Sequence, residues 1–159
     1  MKTYRVSASG HVGAAASQVY AVIADYRRHH PQIVPPEYFE GVDVLEGGIG
    51  AGTRTRVRMH VLGKKRTFEQ VVTEPEPGRV LMETNTDGSA VSTFTVEATG
   101  EKASHVTIAT ELPLQPGIQG VLERLAVSML FPRIYKKELV RLARYAGGLG
   151  IDPPTGHPR

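Results

Sequence analysis

The order of its segments constrains this chain more than any single residue does. A strand at Thr3–Gly10 is followed by a short Ala-rich helix at Ala14–Asp25, about six strands in hairpin succession, and one long apolar-striped helix at Ile118–Ala146. A lone antiparallel sheet with one long helix buries its apolar face by curling around that helix. Such curling leaves a hollow between the two, so the order predicts an α+β domain with an internal small-molecule cavity.

At 159 residues, the chain suits one domain that buries about two thirds of its unfolded surface. Residues 1–147 are expected to form that domain and 148–159, rich in Pro and Gly, a disordered tail. There is no Cys, which excludes disulfides, thiol nucleophiles and thiolate metal sites. Charges in Met1-Lys2-Thr3-Tyr4-Arg5 argue against a signal peptide, so a cytoplasmic location is expected. The net charge of +3 is too small to imply nucleic acid. No Gly-x-Ser-x-Gly, phosphate loop or helical His-x-x-x-His occurs, so no cofactor and no metal are expected.

The strands carry the inward-facing pattern. Thr53–Leu62 alternates strictly, with Thr55, Val57 and Met59 on one side and Arg54, Arg56 and Arg58 on the other. A Gly63-Lys64 turn predicts that Met59 faces Phe68, Val57 faces Gln70, and Arg58 faces Glu69. Val72 continues the apolar face of that next strand. Asp87-Gly88 marks a further hairpin whose turn admits two lengths. One puts Met82 and Thr84 inward and the other Leu81 and Glu83. Phe94 and Val96, then Ile108 and Thr110, complete the inner face, and Leu122, Ala126 and Met129 are the matching positions on the long helix. That helix spans roughly 43 Å and carries Pro132 in its middle, where a kink is expected.

The segment Val19-Tyr20-Ala21-Val22-Ile23-Ala24-Asp25-Tyr26, the Pro31/Pro35 pair, Gly50-Ala51-Gly52-Thr53 and Val72-Thr73-Glu74-Pro75-Glu76-Pro77-Gly78-Arg79 together resemble the bacterial polyketide cyclase/dehydrase and lipid-transport family, within the START and birch-pollen-allergen (SRPBCC) superfamily. The resemblance covers about residues 3–146. It implies the helix-grip fold: a curved sheet of about seven antiparallel strands around a long C-terminal helix, with a pocket between them and an entrance near the Pro-rich connection. It also implies an apolar ligand such as a lipid, quinone or polyketide, and no defined catalytic set.

The candidate ligand contacts are therefore Tyr26, Thr55, Val57, Met59, Phe68, Gln70, Val72, Met82, Phe94, Val96, Ile108, Thr110, Leu122, Ala126 and Met129. Non-catalytic binding or transport of a hydrophobic small molecule is the first expectation. A cyclase or dehydratase using an inward Glu83, Tyr26 or His29 for proton transfer is the second, and an interaction module with a filled core the third. His29 and His30 read as solvated loop residues. Arg133, Lys137, Arg141 and Arg144 read as a solvated face that also suits transient contact with a membrane surface.

Overall fold

In the computed structural model, which describes residues 2–148, seven strands form one antiparallel sheet. The strands are β1 (Thr3–Val12), β2 (Phe39–Glu46), β3 (Arg54–Val61), β4 (Lys64–Glu76), β5 (Val80–Asn85), β6 (Val91–Gly100) and β7 (Ala103–Pro113). Two short helices, α1 (Ala16–Ala24) and α2 (His30–Ile33), follow β1, and α3 (Gly117–Gly148) is the last element of the described residues. The strand order β1-β7-β6-β5-β4-β3-β2 joins neighbours through hairpins except where β1 pairs with β7. This is the helix-grip fold. The expected tail lies almost wholly outside the described residues.

The interior divides into two halves. At one end, Val19, Val22 and Ile23 of α1 pack with Val72, Leu81, Val96 and Val106 of the sheet and with Leu139 and Leu142 of α3. That end is solid, because α1 supplies the apolar layer the sheet lacks elsewhere. At the other end no described helix but α3 covers the sheet, and the interior is hollow.

The β3–β4 hairpin corrects the expected register. Its turn is Leu62-Gly63 rather than Gly63-Lys64, so Val57 faces Phe68, Thr55 faces Gln70, and Arg56 faces Glu69. Both turn residues have positive φ, 53° at Leu62 and 72° at Gly63, as a type I′ turn requires. Its twist matches that of the strands, which outweighs the cost of placing a leucine in the left-handed region. The slip is two residues, so each side chain keeps its face. Arg54, Arg56 and Arg58 lie outward and pair with Glu46, Glu69 and Asp43.

The β5–β6 connection settles the alternative left open by its turn. Leu81 pairs with Phe94 and Glu83 with Ser92, so Leu81, Glu83 and Asn85 face inward and Met82 faces the opposite side. Helix α3 continues through Pro132 from Gly117 to Gly148.

Leu62→Asn should relieve the left-handed strain at the hairpin tip and raise stability by about 1 kcal/mol, read as a higher denaturation midpoint. An unchanged or lower midpoint would contradict the turn assignment.

Candidate functional site

The hollow end is a cavity of about 540 Å³ that opens between the β3–β4 hairpin and the start of α3. Its walls are largely apolar: Phe39, Val57, Met59, Phe68, Phe94, Ile108 and Leu112 from the sheet, and Val127, Phe131 and Ile134 from α3. Leu62, Lys64, Arg66, Gln115 and Glu123 also line it, near the opening. Left as a dry void, this volume would cost on the order of 10 kcal/mol, comparable with the whole stability of a domain. The fold therefore holds the space for water or a ligand.

One side of the cavity is polar. Glu83 is 7 % exposed, and its Oε1 accepts a hydrogen bond of 2.6 Å from the Tyr26 hydroxyl. Tyr26 follows α1 directly, where its N–H donates to the Gly48 carbonyl at 2.8 Å. The Asp25 side chain accepts from the N–H groups of Arg27 and Arg28, and its carbonyl accepts from those of His29 and His30. These contacts turn the chain inward, so His30 stacks on the Tyr26 ring with centroids 4.4 Å apart. A carbonyl oxygen only accepts, so the 2.7 Å contact to the Ile23 oxygen places a hydrogen on His30 Nδ1. Nε2 is left 3.7 Å from Glu83 Oε1.

Helix α3 brings a second carboxyl to the same place. Glu138 is 3 % exposed and lines the cavity, with no side-chain hydrogen bond among the described residues. Burial, and then the neighbouring Glu83 carboxyl, push its pKa well above the ordinary carboxylate range. Burial thus favours its neutral form. One turn earlier, the Tyr135 hydroxyl shares a short hydrogen bond with Thr110 Oγ1, which lies 2.8 Å from Ser92 Oγ. Burial also raises the pKa of both tyrosines, with Glu83 adding to the shift at Tyr26.

Of the sequence candidates, Val57, Met59, Phe68, Gln70, Phe94, Ile108 and Thr110 line the cavity. Tyr26 and Thr55 lie buried behind its wall. Val72 and Val96 belong instead to the solid end beneath α1. Met82 is on the outer face of β5, and Leu122 and Met129 point to solvent at 59 % and 65 % exposure. Ala126, half-buried beside them, is also outside the lining. The inner face of α3 is Glu123, Val127, Phe131, Ile134, Tyr135 and Glu138. The two histidines are not solvated loop residues. His30 is buried, and His29 Nδ1 lies 2.7 Å from the Tyr145 hydroxyl.

A curved antiparallel sheet gripping one long helix over an internal cavity defines a helix-grip ligand-binding architecture. The chain belongs to the polyketide cyclase/dehydrase and lipid transport family, whose model matches residues 3–147. Among solved structures it is similar to the KanY protein, at 26 % identity over 93 % of this chain and 100 % of that one, with a TM-score of 0.80. It also shares its fold with the Zhui aromatase/cyclase from Streptomyces sp. R1128, at 18 % identity over 92 % and 94 % of the two chains and a TM-score of 0.77. A START superfamily protein from Mycobacterium smegmatis has the same fold at 17 % identity, 91 % and 95 % coverage and a TM-score of 0.62. Among curated proteins, none matches the sequence. No described helix is long and apolar enough to cross a membrane.

A carboxyl whose pKa is raised on folding supports stability below its unfolded pKa and loses that contribution as pH rises through the folded value. Stability should therefore fall as pH climbs above the ordinary carboxylate range, and Glu138→Gln should flatten that fall in denaturant titrations. An unaltered pH slope in the variant would contradict the assignment.

Proposed function

We propose that this protein takes up an amphipathic, oxygen-bearing small molecule, with its apolar body against the cavity walls and its oxygen functions against the buried polar side. The observation that carries this reading is the cavity of about 540 Å³, apolar on most sides, with Glu83, Glu138, Gln70 and Tyr135 facing one region. Apolar burial supplies affinity, and the few polar groups set orientation. A plain hydrocarbon would leave Glu138, which has no side-chain hydrogen bond among the described residues, without a partner at a cost of about 1–3 kcal/mol. The polar side thus favours polyketide-like or other polyoxygenated ligands over a lipid tail alone.

Proton-transfer chemistry on that ligand is a second reading, favoured by two buried carboxyls that face the same cavity. Glu138, whose neutral form burial favours, donates its proton to a ligand carbonyl oxygen while Glu83 removes a proton from the adjacent carbon. The product is an enol, poised for cyclisation or loss of water. The Tyr26 hydroxyl orients the Glu83 carboxyl through its hydrogen bond. Members of the family named for cyclase and dehydrase activity are consistent with this reading.

Met59→Trp, which fills the cavity from its wall, should weaken displacement of a fluorescent apolar probe by polyketide mimics more than about tenfold, with stability changed by less than about 1 kcal/mol. Loss of 1–3 kcal/mol instead would mean that Met59 sits in packed core. For the second reading, α-hydrogen exchange of an aryl ketone in D2O should be accelerated by the wild type. It should slow by about a hundredfold in Glu83→Gln while probe binding persists. Equal exchange rates in the two proteins would leave binding without catalysis.

A further inference from the structure

The outer face of the first half of α3 is apolar and uncovered. Ile118, Val121, Leu122, Leu125 and Met129 are each at least 57 % exposed, and at ~3.6 residues per turn they fall within an arc of about 100°. Over Gly117–Leu130 only Gly120 and Val127 are buried. This part of the helix is a wall with the cavity on one side and solvent on the other.

The same outward line continues with cations. Arg133, Lys136 and Arg144 are exposed along it, with half-exposed Val140 between them. The two acidic residues of α3, Glu123 and Glu138, both line the cavity instead. The outward face therefore has five large aliphatic side chains, then three cations, and no acid. Across the mouth, the β3–β4 tip adds exposed Leu62 beside Lys64 and Arg66.

We infer that this face of α3 docks on a lipid bilayer bearing anionic headgroups. Aliphatic residues on a convex helix surface, extended by Lys and Arg, fit insertion into the headgroup boundary of a bilayer. A protein partner is anchored more often by Trp, Tyr and Arg seated in pockets, and this stripe has no aromatic residue. The cations complement the negative potential of an anionic leaflet. Docking this wall sets the mouth of the cavity at the membrane surface, where an amphipathic ligand concentrates. The inference is independent of any chemistry inside the cavity.

The test is co-sedimentation of the full chain with vesicles of phosphatidylglycerol mixed with phosphatidylcholine, and with phosphatidylcholine alone. The wild type should partition more strongly to the anionic vesicles, and high salt should release it. Leu122→Ser with Leu125→Ser, and separately Arg133→Glu with Lys136→Glu, should each weaken partitioning by about tenfold or more. All four positions are exposed, so melting curves and displacement of the apolar probe should match the wild type. Absent sedimentation, or equal sedimentation of the variants, overturns the inference. So does light scattering that shows a dimer for the wild type and a monomer for Leu122→Ser with Leu125→Ser, because a second copy would then cover the stripe.

Discussion

The buried carboxyl of Glu83 is the point on which the interior is organised. It comes from the centre of β5 and meets Tyr26 from the end of α1, His30 from α2 and the field of Glu138 from α3. A carboxyl taken out of water without partners costs several kcal/mol. The Tyr26 hydroxyl offsets part of that cost, and it reaches Glu83 only because the chain after α1 is tied to Gly48 and folded inward around Asp25. The local turn chemistry of one connection thus decides the electrostatics of a site made by elements far apart in sequence.

The hollow and the solid halves of the interior depend on each other. A cavity of this size is tolerable because α1 and the second half of α3 close a dry core at the other end, where Val12, Val106 and Leu142 are completely buried. The polar groups gather near the border between the two halves, where α3 passes from cavity wall to core helix. Tyr135 and Glu138 face the cavity there, while Leu139 and Leu142 turn to the core. A ligand reaching that border would meet hydrogen-bonding groups held by the rigid part of the fold.

Much of this was legible in the residues and some was hidden for definite reasons. Strict alternation identified the inward faces of β3 and β4, and a two-residue error in turn position left those faces intact because side chains repeat every two residues. The first half of α3 hides its inner face because its more hydrophobic stripe is the exposed one. The cavity side includes Glu123, Tyr135 and Glu138, so hydrophobicity pointed to Leu122 and Met129 on the wrong side. The spacing Val127, Phe131, Tyr135, at four-residue intervals, was the available signal for the true inner face. The facing of Glu83 was undetermined while the β5–β6 turn length was open. The burial of His30 depends on contacts with Ile23, Tyr26 and Phe94 that no local pattern announces.

The most direct measurement is carboxyl 13C NMR titration of the protein labelled at glutamate, compared with Glu83→Gln and Glu138→Gln. A buried pair at the cavity predicts one resonance, absent in Glu138→Gln, that titrates well above the ordinary carboxylate range and moves down when Glu83 is neutralised. If every glutamate titrates in the ordinary range, or the high-pKa resonance is indifferent to Glu83, then the two carboxyls do not share the polar side of the cavity.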